Sequence, residues 1–181
     1  MTDFISSLVL ISILVIAGIL HMLVVKFACF DFLTIPIWEK GFGRNKTWRG
    51  LLVLPVASLI GTCLVIYGLK LSKFDMTPDI SEVSTLGLGL TLGLFYALFE
   101  LPNSFLKRKC NVTPGKLASS QGQRILFFVL DHFDSLIGCL LVYFFFFGWH
   151  TSLTLSLFIG PLIHTLVNVI LWLGRVRKEP F

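Results

Sequence analysis

Hydrophobic residues gather in five long blocks, separated by short polar segments. The blocks cover residues 4–25, 51–69, 85–101, 125–149 and 152–173. Each is about 17–25 residues long, the length of helix that crosses a hydrocarbon core about 30 Å thick. Inside lipid such a run can satisfy its backbone polar groups as a helix. The pattern predicts an all-α integral membrane protein, a bundle of five transmembrane helices in one polytopic domain over residues 1–181.

Composition agrees with a membrane location. The chain is 55% hydrophobic and 14% charged, whereas soluble domains carry about 25% charged residues. The first block lacks a basic leader and its apolar core is too long for a signal peptide, so we expect it to be retained as a helix. The cysteines form no CxxC pair, which gives no sign of a zinc or redox motif. They are Cys29, Cys63, Cys110 and Cys139.

Basic residues concentrate in the first connection, the third connection and the tail. They include Lys26, Lys40, Arg44, Lys46 and Arg49, then Lys107, Arg108, Lys109, Lys116 and Arg124, then Arg175, Arg177 and Lys178. Of the Lys and Arg residues, the second connection has only Lys70 and Lys73, and the fourth has none. The positive-inside rule then predicts an external N-terminus and a cytoplasmic C-terminus in the cell (inner) membrane. Topology thus explains the net charge of +5, and a nucleic-acid partner is not expected.

Two carboxylates lie inside the fourth block. Asp131 and Asp134 are three residues apart and share a helix face. Each would cost at least about 2.5 kcal/mol at the middle of a bilayer, and the pair would repel without a cation between them. Oxygen ligands of this kind suit Mg²⁺. The alternative is a buried polar cluster that ties helices together. We expect His132 to support the pair rather than to bind metal.

Two segments offer donors for phosphate. The first loop contains Lys46, Thr47 and Arg49 within a glycine-rich stretch, although it is not a Walker A loop. The end of the third block contributes Ser104, Lys107 and Arg108, which follow Glu100 at helical spacing. Ser104 and either basic residue could share a helix face. The alternative is that these charges only orient the protein in the membrane.

Two further features bear on a cavity. His164 and Asn168 are four residues apart in the fifth block, so they could line the same cavity or make hydrogen bonds between helices. Pro114–Gly115 predicts a turn in the third loop, which could close over a bound nucleotide.

Together these residues suit nucleotidyl transfer to a lipid phosphate. Basic side chains neutralise a triphosphate, a Mg²⁺ ion on the acidic pair bridges to it, and in-line displacement needs no protein nucleophile. A membrane setting indicates that one substrate is a lipid. The alternative from another class is a small transporter whose intramembrane carboxylates couple protons or cations, although no inverted repeat is evident. Transfer from a CDP-lipid to an alcohol is disfavoured, because no D-G-x₂-A-R motif precedes the aspartates.

Three motifs occur in order: F-G-R-N-K-T-W-R-G (42–50), E-L-P-N-S-F-L-K-R (100–108) followed by P-G, and D-H-F-D (131–134). With the ending K-E-P-F (178–181), they resemble the CDP-archaeol synthases, five-helix relatives of CDP-diacylglycerol synthases. The resemblance covers most of the chain from about residue 36. It implies a Mg²⁺-dependent cytidylyltransferase that makes a CDP-lipid and pyrophosphate from CTP and a phosphorylated lipid, either an isoprenoid ether or a diacyl lipid. A bundle of this size could also form a homodimer.

The resemblance also implies roles for individual residues. Asp131 and Asp134 match the metal-binding aspartates, and Glu100 stands where the family usually has Asp, so it is a third candidate ligand. Lys107 would act with these carboxylates in catalysis. The nucleotide or lipid phosphates would be bound by Lys46, Thr47, Arg49, Ser104, Lys107 and Arg108.

Overall fold

The structure is a computed structural model that describes residues 2–76 and 78–176. The predicted contributions of Arg177 and of the K-E-P-F ending lie outside these residues. The helices are α1 (Thr2–Lys26), α2 (Glu39–Phe42), α3 (Trp48–Ser72), α4 (Thr85–Lys109), α5 (Gln121–Phe147) and α6 (Thr151–Leu173). Within the described ranges, all of them except the single-turn α2 are long and apolar enough to cross a membrane. The prediction of five helices long and apolar enough to cross a membrane is therefore confirmed.

Serine hydroxyls begin two of these helices. The Ser84 Oγ accepts a hydrogen bond from the Gly87 N–H at 3.2 Å, and the Ser120 Oγ accepts one from the Gln123 N–H at 3.2 Å. Such caps satisfy N–H groups that have no partner within the first helical turn. The cap at Ser120 starts α5 earlier than the apolar pattern predicts, so Asp131 lies about three turns into the helix rather than two.

The long helices pack in a closed circuit. Each contacts its two neighbours in the order α1, α3, α4, α5, α6 and back to α1. Small residues let the backbones approach closely, as is usual for helices in membranes. A Cβ atom on Gly93 of α4 would lie 2.3 Å from the Leu54 carbonyl oxygen of α3. On Gly138 of α5 it would lie 2.8 Å from the Phe95 carbonyl oxygen of α4.

A hydrophobic core fills one half of the bundle. It contains Leu10 and Ile13 at the start of α1, together with buried residues from the same end of every other long helix. These are Ile66, Leu88, Leu92, Cys139, Val142, Tyr143 and Leu153, with Met76 and Ile80 from the connection between α3 and α4. The opposite half holds a cavity. The bundle is thus closed at one end and open at the other.

The helix α4 continues through Pro102 to Lys109, eight residues beyond the predicted end of the third block at residue 101. Proline removes one backbone donor, yet neighbouring helices allow it inside a membrane helix. The continuation places Glu100, Asn103 and Lys107 at successive intervals of three and four residues, and therefore on one helix face. That face looks onto the cavity.

Candidate functional site

A cavity of about 650 Å³ opens at the end of the bundle where the basic loops lie. Its walls come from α1, α4, α5 and α6, and from both basic loops. A volume of this size falls within the range of small-molecule sites, which is roughly 300–1,000 Å³. The cavity brings together most of the residues that the sequence singles out. Those lining it are Lys46, Glu100, Ser104, Lys107, Arg108, Asp131 and Asp134.

The two aspartates meet at a single amide group. The Asn103 Nδ2 donates to the Asp131 Oδ1 at 2.7 Å and to the Asp134 Oδ2 at 2.8 Å. Lys107 adds a positive charge, because its Nζ lies 2.5 Å from one oxygen of Asp131 and 2.6 Å from the other. The Ser135 N–H donates to the second oxygen of Asp134 at 2.6 Å. The paired carboxylates are thus held together by donors from two helices.

Lys46 reaches the same cavity from the first loop. It forms an ion pair with Glu100, and each of the two side chains is about a quarter exposed, at 27% and 26%. Burial lowers the pKa of Lys46, but the charge and hydrogen bond of Glu100 more than offset this, so that the pKa is raised above its ordinary value. The Lys46 ammonium therefore stays charged. Glu100, a predicted metal ligand, is placed against a lysine rather than bonded to the aspartate pair.

A second cavity of about 330 Å³ adjoins the first. Thr47 and Arg49 line this smaller cavity, and they do not line the larger one. The Arg49 Nη1 donates to the Asp31 Oδ1 at 3.0 Å and to the Cys29 carbonyl at 3.3 Å. Arg49 therefore anchors the turn after α1. Lys46 and Glu100 line both cavities and form part of the boundary between them.

The first loop is held in place by backbone pairing and by ring packing. The Ile37 N–H donates to the Lys46 carbonyl at 2.9 Å. The ring of Trp38 stacks on Phe105 of α4, with 5.9 Å between the ring centroids. Trp38 also meets Phe42 edge to face at 5.4 Å. These contacts fix α2 against α4 and place Lys46 beside Glu100.

The third loop covers the mouth of the larger cavity. Its residues 112–118 all line the cavity. Val112 and Ala118 are buried against Phe127, and the Arg124 Nε donates to the Ala118 carbonyl at 2.7 Å. Gly115 has a φ of +73° in a turn, so the predicted Pro114–Gly115 turn is confirmed.

Arg108 lies in the basic last turn of α4. Its Nη1 lies close to Gly43, because a Cβ added to that glycine would be 2.9 Å from it. The Arg108 Nε is buried and has no hydrogen-bond partner among the described residues. Ser104 and Arg108 both line the larger cavity. Both predicted phosphate contacts therefore face the same space as the aspartates.

Histidines form the wall opposite α4. His132 is buried, and its Nδ1 lies 2.6 Å from the Phe128 carbonyl oxygen. Its ring packs against that of His164 of α6, with 5.1 Å between centroids. His164 and Asn168 both line the cavity. His132 is placed by its own helix, which agrees with a supporting role.

The larger cavity also has an apolar arm. It consists of the aliphatic and small lining residues of α1, α5 and α6, which lie alongside His132, His164 and Asn168 of the same helices. The aliphatic and small residues are Ile11, Leu14, Val15, Gly18, Leu136, Gly160, Val167 and Leu171. One cavity is therefore lined by both polar and apolar side chains.

Sequence reasoning missed two residues of the site. Asn103 received no role, because it is a neutral residue that directly follows Pro102, so neither charge nor the apolar pattern singles it out. Its spacing from Glu100 and Lys107 is the signal that could have found it. His21 of α1 lines both cavities. The signal that could have identified it is a single polar ring near the end of an apolar block.

The donors in this site fit Mg²⁺. Mg²⁺ in nucleotide enzymes is bound by one or two carboxylates together with substrate phosphates. Asp131 and Asp134 supply two carboxylates that converge on one point, and no third His, Cys, Asp or Glu joins them within the described residues.

Comparisons of the chain with protein-family models, with curated proteins and with solved structures found no match.

Proposed function

We propose that the protein is a Mg²⁺-dependent CTP:lipid-phosphate cytidylyltransferase. A phosphate oxygen of the lipid attacks the α-phosphorus of CTP and forms a new P–O bond. The bond between the α-phosphorus and the β-phosphate oxygen breaks, and pyrophosphate leaves. The products are a CDP-activated lipid for phospholipid synthesis and pyrophosphate.

One observation carries this proposal: a single cavity joins the paired aspartates, the basic side chains of α4 and an apolar arm. A nucleotide needs the first two, and a lipid phosphate needs the last two. The motif resemblance to CDP-archaeol synthases points to the same reaction. The sequence alone predicts the polar residues, whereas the apolar arm is an independent feature.

Each residue of the site would have its own role in the reaction. Asp131 and Asp134 hold the metal, which when bound would neutralise charge on the phosphates of CTP. Lys107 would move from Asp131 to a phosphate oxygen. The charge of the Asp131 carboxylate would then be compensated by the bound metal instead. Arg108 and Ser104 donate to the same phosphates. Catalysis then rests on positioning and on charge neutralisation.

Lys46 would bind phosphate from the first loop, with Glu100 keeping it oriented. Glu100 would contact the metal only through water. Thr47 and Arg49 would shape the loop from the smaller cavity. The apolar arm would take the lipid chains, and its aliphatic lining accepts isoprenoid ether or diacyl chains.

We propose that the open end of the bundle faces the cytoplasm, with the N-terminus outside the cell membrane. The basic loops and the cavity lie at the same end, and the positive-inside rule assigns that end to the cytoplasm. CTP is a cytoplasmic nucleotide, so the proposed reaction requires this orientation. The transporter alternative receives less support, because the core from Leu10 to Leu153 fills the other end.

The test uses purified full-length protein in detergent with Mg²⁺ and CTP labelled at the α-phosphate. A panel of ester and isoprenoid ether lipid phosphates is offered, and label is followed into the lipid phase. We expect one lipid class to be labelled by the wild type and none by Asp131→Asn. Folded protein that labels no member of the panel, and that fails to bind CTP, would contradict the proposal.

A further inference from the structure

Asn103 occupies the position between the two aspartates where a cation would be expected. Its Nδ2 is the only described side-chain atom that donates to both carboxylates, at 2.7 Å and 2.8 Å. Asn103 is 5% exposed and lines the larger cavity. Since two close carboxylates repel each other, the amide N–H groups stabilise the pair together with the Lys107 ammonium on Asp131.

The other end of the same amide has no partner. The Asn103 Oδ1 is buried and accepts no hydrogen bond from the described residues. A buried acceptor without a donor costs roughly 1–3 kcal/mol, so such an atom calls for an explanation. The amide thus uses both hydrogens on the aspartates and leaves its oxygen unused.

An amide nitrogen and an amide oxygen exchange places when the group turns by about 180° about its last side-chain bond. In Asn103 that turn would give up two bonds to the carboxylates. It would break no bond at Oδ1, which has no partner to lose. The oxygen would then lie where Nδ2 lies now, within reach of an ion held by both aspartates.

We propose that Asn103 is a metal ligand, and that its side-chain amide turns over when a divalent cation binds. Oδ1 becomes the third protein oxygen beside Asp131 and Asp134. Neutral amide oxygens are ordinary ligands of hard divalent cations. The three residues come from α4 and α5, so metal binding ties these two helices together.

This inference rests on the proposed metal-dependent function but is tested without the reaction. The probe is Mn²⁺, added to the purified full-length protein with no nucleotide or lipid. Free Mn²⁺ is measured by electron paramagnetic resonance. Failure of cytidylyl transfer would leave this binding measurement unaffected, so the two failures are distinguishable.

We expect Asn103→Ala to weaken Mn²⁺ binding by about 10–100-fold. A structural amide that merely holds the aspartates together could produce part of this loss. The second variant, Asn103→Cys, separates the two roles, because thiolates favour soft metals. If position 103 touches the ion, the ratio of Cd²⁺ to Mn²⁺ affinity rises at least about tenfold.

The matched control is Asn168→Cys, which replaces another buried amide of the cavity on a different helix. It also controls for the native cysteines, which the wild type and all three variants share. The inference is overturned if the wild type binds no Mn²⁺, or if Asn103→Ala binds it like the wild type. It is equally overturned if Asn103→Cys shows the same Cd²⁺ to Mn²⁺ ratio as the control. Should Asn103→Ala not fold, the ratio alone decides.

Discussion

Lys46 and Glu100 are 54 positions apart in the chain, yet their side chains form an ion pair at the boundary between two cavities. The pair joins the first basic loop to α4. Hydrogen-bonded charges of this kind contribute about 1.5–3 kcal/mol, and breaking a partly buried pair leaves one charge without compensation.

This pair makes a prediction about stability. Lys46→Met leaves Glu100 uncompensated and should lower the Tm by roughly 5 °C, since about 1 kcal/mol corresponds to 2–4 °C in a chain of this size. The double variant Lys46→Met/Glu100→Gln removes both charges and should recover most of this Tm. It should not recover turnover, because the phosphate-binding ammonium is still missing. Thermal unfolding in detergent and label transfer measure the two effects, and recovery of both would contradict a phosphate role for Lys46.

The aspartate pair gives the second prediction. Asp131→Asn and Asp134→Asn should each reduce turnover by at least about 100-fold. Each substitution removes a charge that would hold the metal, while it preserves the shape of the side chain. Membrane insertion and far-UV circular dichroism should not change. Asp75→Asn, in the connection at the other end of the bundle, is the control and should keep full activity. An active Asp131→Asn or Asp134→Asn variant would remove the metal assignment.

The apolar arm predicts a dependence on lipid length. Val167→Trp fills the arm and should raise the KM for a long-chain lipid phosphate by about tenfold, since one buried side chain is worth about 1.5–3 kcal/mol. The KM for CTP and for a short-chain lipid phosphate should stay unchanged. The control is Ile170→Trp on the outer surface of α6, where Ile170 is 56% exposed. An equal effect of Val167→Trp on both lipids would place the chains elsewhere.

Helix packing predicts a contrast between two glycines. Gly93→Ala puts a Cβ atom 2.3 Å from the Leu54 carbonyl oxygen, whereas Gly68→Ala meets nothing within 4 Å. Both substitutions gain the same helix propensity, so their difference isolates the packing cost, which is about 1–3 kcal/mol. Gly93→Ala should unfold at a lower temperature than the wild type, and Gly68→Ala should not. Equal Tm values would argue against the α3–α4 contact.

Native cysteines test the orientation. Cys29 and Cys110 are free and exposed in the two basic loops, Cys139 is buried, and Cys63 lies on the membrane-spanning helix α3. An impermeant maleimide should label the wild type in inside-out vesicles and not in right-side-out vesicles. The Glu82→Cys variant, with its new thiol in the opposite connection, should also be labelled in right-side-out vesicles. The reverse pattern would place the site outside the cell.

The hydrophobic pattern predicts the five helices well, because each run of about 20 apolar residues has few other stable forms in lipid. It predicts their ends less well. α4 continues through Pro102 because packing against neighbouring helices can compensate the lost backbone hydrogen bond. The rule that proline ends or kinks a helix takes no account of such packing.

The site residues that could be predicted from the sequence are those whose charge is unusual within an apolar run. Asp131 and Asp134 stand out for that reason, and Lys107 follows from helical spacing. Asn103 is neutral and common in loops, so nothing in its own chemistry singles it out. The pairing of Lys46 with Glu100 depends on how the first loop folds onto α4, which no local pattern specifies.

The most direct test of the proposed function follows the two ends of the CTP triphosphate. The purified protein is given Mg²⁺, a lipid phosphate and CTP labelled at either the α- or the γ-phosphate. The account predicts that α-label enters the lipid phase while γ-label stays in water as pyrophosphate, in equal amounts. Entry of γ-label into the lipid, or release of labelled phosphate with no lipid product, would contradict it.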